Sequence, residues 1–234
     1  MIKLNSTKVL NLILAFSISV LILLMLGTWQ LERLIWKNAL LTQISKQFSL
    51  PTIKFNYSVI NNLPEYINRK IKIKGNFSYD NNLTIYSKVY KGYVGRHLIV
   101  PMETKFGWVL VNRGFIPEKN FKDYLQKGYS NQVLIEGIIH LPGSKSYFTP
   151  KNNLTTGEWY YLNIEEIKKY TDLPLLKFVI FEAKNKNLKE FPIAGQYIHK
   201  NIPNDHLQYA FTWFSLAIVL FIILRIFWSK NIYQ

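Results

Sequence analysis

The side chains best suited to chemistry stand at the two ends of the chain. His206 opens a long uncharged run, and on a helix Tyr209 and Trp213 follow it at i+3 and i+7. An imidazole above two aromatic rings could cover a planar, apolar cofactor, since neutral imidazole ligates haem iron and rings suit a porphyrin plane. Near the other end Trp29, Arg33 and Trp36 stand at i, i+4 and i+7. Arg33 could pair with a carboxylate such as a haem propionate, or equally with a lipid phosphate. Spacing alone favours a plainer reading of both stripes, an interfacial belt of aromatic and polar anchors at headgroup level.

Elsewhere the sequence offers little reactive chemistry. The other histidines, at 97, 140 and 199, have no ligand-type residue at metal-site spacing, and His97 and His140 sit in strand patterns as solvated or hydrogen-bonded residues. Cysteine is absent, which removes disulfides, zinc-thiolate sites, covalent haem attachment and thiolate copper transfer. No phosphate-binding glycine loop, dinucleotide fingerprint, zincin helix or nucleophile elbow occurs, which argues against an enzyme of those classes. The net charge of +15 is spread among asparagines and isoleucines without a nucleic-acid motif. It reads as an evenly basic surface, with lipid headgroups or an acidic protein face as the alternative anionic partners.

Two elements must carry the terminal stripes. No charge interrupts Val9 to Leu31, and none lies between Asp205 and Arg225; either run can cross a bilayer, which takes roughly 20 apolar residues. The first lacks a small-residue cleavage site and is expected to remain as an anchor. The expected divisions are a tail at 1–8, a span at 9–30, a helical extension at 31–48, a β-rich domain at 49–204, a span at 205–225 and a tail at 226–234. Two spans put both termini on one side, taken as cytoplasmic. The lack of an Arg- and Ser-rich transit segment favours a bacterial inner membrane with a periplasmic central domain.

Between the spans, alternation predicts strands at 69–77, 82–89, 108–116, 132–140, 158–163 and 176–183, with short helices at 119–127 and 163–170, the latter capped by Asn163. The fold class expected is therefore membrane α+β: two transmembrane helices flanking an antiparallel, β-rich, small-barrel-like extracytoplasmic domain.

Four segments together carry a resemblance: Gly27-Thr28-Trp29-Gln30-Leu31 with Arg33 and Trp36; Leu110-Val111-Asn112-Arg113-Gly114-Phe115-Ile116-Pro117; Phe148-Thr149-Pro150-Lys151-Asn152-Asn153 leading to Glu158-Trp159-Tyr160; and Asn204-Asp205-His206-Leu207-Gln208-Tyr209-Ala210 with Thr212-Trp213-Phe214. In order along the whole chain they resemble the surfeit locus protein 1 family. The resemblance implies a non-enzymatic factor in cytochrome c oxidase biogenesis that binds haem a transiently and assists its insertion into the catalytic subunit. The haem a synthesis machinery and membrane lipids are further expected partners, and nucleic acid is not. It also implies His206 as the axial ligand of the haem iron, with the second axial position unassigned; Tyr209, Trp213, Trp29, Arg33 and Trp36, read from their spacing, are the residues expected around the cofactor. The segment Leu110–Pro117 is expected to be a structural strand and turn. Two other readings stay open, a scaffold that stabilises an oxidase intermediate without touching haem and a tethered enzyme with an unfamiliar site in the β domain.

Overall fold

Nothing in the first 50 residues interrupts a helix, because the first proline stands at position 51 and biases the residue before it away from helical geometry. Accordingly, in the computed structural model, which describes residues 6–121, 130–143, 145–183, 191–195 and 203–232, a single helix α1 runs over Ser6–Ser49. At 1.5 Å per residue it is about 65 Å long, twice the roughly 30 Å of bilayer hydrocarbon. The chain continues through β1 (Ile53–Lys54), α2 (Tyr57–Asn61), α3 (Leu63–Tyr66), β2 (Lys70–Phe77), β3 (Leu83–Tyr90), β4 (Tyr93–Thr104), β5 (Gly107–Pro117), β6 (Val133–His140), α4 (Ile164–Thr171), β7 (Leu175–Glu182) and α5 (His206–Ile232). It divides into two compact units, Met1–Gln43 with Lys200–Gln234, and Ile44–His199.

The first unit is built from the two helices long and apolar enough to cross a membrane, α1 and α5. Their large apolar side chains point outward, Leu10, Leu21 and Met25 from α1 and Phe211, Ile218 and Phe221 from α5. A helix of a soluble core would bury that surface, so the pattern is that of a membrane protein. Small residues make the seam between the helices. Gly27 on α1 and Ala210 and Ala217 on α5 are buried, and a Cβ at Gly27 would lie 2.6 Å from the ring of Phe214. Small residues at such a seam let backbones approach closely, which matters where lipid supplies no hydrophobic drive for association.

The second unit is a closed barrel. The sheet order is β1-β2-β6-β7-β5-β4-β3, and β2 also pairs with β4 through Asn76↔Glu103 and Phe77↔Met102. Five strands, β2, β6, β7, β5 and β4, therefore form a ring, with β1 and β3 attached outside it. Pairing is antiparallel except at β1–β2 and β5–β7. Inward residues fill the lumen, among them Ile71, Ile73, Val100, Met102, Val111 and Ile180. A second core lies on the outer face, where Leu110, Val179 and Ile99 meet Trp159 and the Ile164 and Ile167 side chains of α4.

The two-sided burial explains where the sequence misleads. Strand β4 is buried on both faces from Leu98 to Met102, so it lacks the alternation that marks its neighbours, and Pro101 suggests a break. Pro101 lies between the last described β3 pairing, Leu83↔Ile99, and the β2 pairing at Met102. The strand expected at 158–163 is absent: Glu158 and Trp159 make only isolated bridges, to Asn153 and Ile85. What resembled alternation there is one fully buried Trp159 plugging the outer core. Asn152 holds the segment by accepting from Tyr160 N at 2.9 Å and donating to Glu166 Oε2 at 2.7 Å. Of the helix expected at 119–127, a single 3₁₀ turn covers Glu118–Asn120, and 122–129 lie outside the described residues. Helix α4 has the expected cap, with Asn163 Oδ1 accepting from the backbone of Glu165 at 3.1 Å and Glu166 at 3.3 Å.

Trp159→Ala should lower the unfolding free energy by about 3–5 kcal/mol, the usual cost of emptying a fully buried aromatic site. Urea unfolding of the detergent-solubilised chain measures it, and a loss below about 1 kcal/mol would show that the outer core does not hold the barrel.

Candidate functional site

The head of α5 meets α1 through polar side chains. His206 Nδ1 lies 2.7 Å from Gln30 Oε1, and farther along α1 Asn204 Nδ2 donates to Asn38 Oδ1 at 2.8 Å. Lys37 Nζ donates to the carbonyl of Pro203. Residues ascending α1 thus meet residues descending toward the start of α5, so the two helices run antiparallel. Gln30 lies one turn beyond Gly27, so the close approach at the glycine brings it within reach of the imidazole.

This hydrogen bond decides what the imidazole can do. A side-chain amide oxygen can only accept, so Nδ1 carries the proton, and in a neutral ring the lone pair then sits on Nε2. Metal-ligating histidines are commonly held in this way, one nitrogen donating to an oxygen while the other faces the metal. A porphyrin brings four nitrogens of its own, so one such imidazole is enough for axial ligation.

The other expected residues fall into separate groups. Trp29, Arg33 and Trp36 form one stripe on α1, the guanidinium carbon 5.7 Å from the Trp29 ring and 5.4 Å from the Trp36 ring. Both tryptophans are about half exposed, at 47% and 56%. The stripe therefore lies away from the seam residues Gly27 and Gln30. Tyr209 is also exposed, at 55%, whereas Trp213 is partly covered and its indole Nε1 is buried without a hydrogen-bond partner. The i+3 offset accounts for Tyr209: it sits about 60° round the helix from His206, while the i+7 offset keeps Trp213 almost directly below. Gln30 was not singled out by sequence reasoning. The available signal was a polar side chain inside an apolar stretch, one turn after a glycine, which requires a partner in the membrane.

In the barrel, Leu110–Pro117 forms β5 and a bulge. Leu98 pairs with Gly114 and Ile99 with Asn112, leaving Arg113 as the extra residue. Gly114 has φ 122°, and a Cβ there would collide with the carbonyl of Ile193. The bulge turns Arg113 onto Glu182 in a buried ion pair, with Arg113 Nη1 donating to Tyr79 Oη at 2.7 Å and the guanidinium carbon 4.3 Å from the Phe77 ring. Burial pushes the Glu182 carboxyl up from its ordinary range, and the Arg113 charge and hydrogen bond pull it back. These contacts join β5, β7 and the end of β2, a structural role. His97 is buried in β4 with Nδ1 3.3 Å from Asn112 Oδ1. His140 ends β6, its ring 4.4 Å from that of Phe181.

A membrane-anchored five-stranded barrel, with an imidazole presented at the head of its second anchoring helix, is the class these features define. The sequence profile described as the SURF1 family matches residues 17–218. The chain belongs to the SURF1 family. It is 33% identical over 222 residues to a SURF1-like protein of Rickettsia prowazekii, covering 91% of this chain and 88% of that one. To a SURF1-like protein of Rickettsia bellii it is 30% identical over 218 residues, covering 90% and 88%. To Surfeit locus protein 1 of Gallus gallus it is 28% identical over 211 residues, covering 82% and 67%.

Desolvation by burial depresses His97 from its ordinary 6.5 to about 4, outweighing the Asn112 hydrogen bond, and the nearby Lys88 charge acts in the same direction. The unfolded chain takes up a proton there that the folded chain resists. Stability should therefore be full above pH 6.5 and fall as the pH drops from 6.5 toward about 4, by up to about 3 kcal/mol from this residue. His97→Gln should flatten the pH dependence of the thermal midpoint over that window; an unchanged slope would contradict the assignment.

Proposed function

We propose that this chain is a non-enzymatic assembly factor for cytochrome c oxidase that holds haem a at the head of α5 and hands it to the catalytic subunit. Membership of the SURF1 family supports the assembly role. The observation that carries the cofactor reading is the His206–Gln30 hydrogen bond, which leaves Nε2 as the nitrogen available to iron. Haem a is cargo in this reading, and the chain supplies one axial nitrogen and aromatic surface. Trp213, with its unpartnered indole N–H, would line the ring, and Tyr209 and the Trp29-Arg33-Trp36 stripe would hold its margin and a propionate.

The membrane setting suits that cargo. Haem a carries a long isoprenoid tail, and free in water it would aggregate or partition into any bilayer. A site at the head of a spanning helix lets the tail stay in lipid while the ring is held near the headgroups. A single protein ligand also keeps release easy, as handover requires. The membrane is taken to be a bacterial inner membrane, with both termini in the cytoplasm and the barrel outside.

His206→Ala should abolish the iron–imidazole signature in a haem titration of the detergent-solubilised protein while leaving its expression and insertion unchanged. Gln30→Leu keeps the ligand but removes its orienting acceptor, and should weaken binding about ten-fold or more. Unchanged spectra and affinities in both variants would leave the α5 head as an anchor belt. For topology, single cysteines replacing Thr7 and the 92% exposed Tyr147 should differ in intact cells, with an impermeant thiol reagent labelling only position 147. The opposite pattern would invert the arrangement.

A further inference from the structure

The barrel carries a second feature that the haem reading does not use, a groove of about 720 Å³ where β2 passes from its pairing with β1 to its pairing with β4. Lys54, Lys72, Lys74 and Lys105 line it, with Glu103 as the one carboxylate among the described lining residues. The arrangement follows from register. The outward positions of β2 alternate with its buried ones, so Lys72 and Lys74 share one face, and Lys54 on β1 is the direct register partner of Lys72. Like charges placed opposite each other in a sheet oppose its pairing. Lys72 is partly relieved by Glu136 on β6, at 2.9 Å. Lys105 lies over the Phe106 ring at 4.7 Å.

The walls between the charges are apolar and polar in turn. Phe106 packs edge-on against Phe55 and Tyr57, with centroids 5.3 and 4.9 Å apart, and Leu134 lies 62% exposed at the rim. A ligand for this surface must bring negative charge to the lysines and apolar groups to Phe106 and Leu134. Successive outward side chains of a strand stand about 7 Å apart, the spacing that acidic residues at alternate positions of an extended peptide also have.

We propose that the groove binds an extended, acidic segment of a partner protein, with carboxylates at alternate positions on Lys72 and Lys74 and apolar side chains between them on Phe106 and Leu134. The match of strand spacings, rather than charge alone, favours a polypeptide over a lipid headgroup. This site belongs to the barrel unit alone and does not depend on haem binding at His206.

The test uses the full chain in neutral phosphatidylcholine nanodiscs and a fluorescein-labelled twelve-residue peptide with Glu at every second position and Leu between. Fluorescence anisotropy should show saturable binding that weakens as salt rises, and the same peptide with Gln for Glu should bind about ten-fold more weakly or worse. Lys54→Glu, Lys74→Glu and Lys105→Glu combined should raise the Kd of the Glu peptide by about ten-fold or more. Leu134→Glu, which leaves every lysine in place, should weaken it as well, and serves if the triple variant does not fold. The proposal is overturned if the Glu peptide does not bind, or if neither the folded triple variant nor Leu134→Glu changes its Kd beyond two-fold. It is also overturned if phosphatidylglycerol vesicles compete the peptide off at equal charge and lose binding in the same variants, since the groove would then be a lipid site.

Discussion

The close approach of α1 and α5 at Gly27 is the constraint on which the proposed chemistry depends. Where a Cβ on residue 27 would stand, the Phe214 ring is 2.6 Å away, so a side chain there would push the helices apart. In lipid that contact has little hydrophobic drive behind it, and interhelical hydrogen bonds contribute only about 1 kcal/mol each. Packing at the glycine and the two alanines of α5 must therefore supply much of the holding force. The hydrogen bond from His206 to Gln30 exists because the seam is this tight. A helix pair held farther apart would leave the imidazole free to rotate, with no rule for which nitrogen faces outward.

The barrel solves a different problem, ordering a chain of mixed topology by burying sheet on both faces. Closure through Asn76 and Phe77 onto β4 leaves β2 and β4 no free edge at the point of contact. The Arg113 bulge, held by Glu182 and Tyr79, bends β5 around that ring. Outside the ring, Trp159 and α4 cover Leu110 and Val179. The Asn112-Arg113-Gly114 segment thus serves strand geometry, while Lys54, Lys72 and Lys74 leave open charge along β1 and β2.

Much of this was legible in the sequence because membrane and sheet impose simple periods. Uncharged runs of spanning length announced α1 and α5, and strict alternation announced β2. Strand β4 was hidden by its own burial, since a strand covered on both faces has no polar phase and Pro101 reads as a stop. The false strand at 158–163 failed for the opposite reason, one tryptophan and its neighbours imitating an alternation that no ladder supports. At the α5 head, His206 was evident as an exception in an apolar run. Its partner Gln30 was not, because the pairing lies 176 residues away in sequence and nothing local to either residue encodes it. Tyr209 and Trp213 were read as one face, and the helical offset sets Tyr209 to the side.

Whether the α5 head carries haem a is read most directly from the absorption spectrum of the wild-type protein purified from cells that make haem a. A site at His206 should give a bound chromophore with an imidazole-ligated spectrum, approaching one haem per chain. A fully folded, colourless preparation from such cells would contradict it.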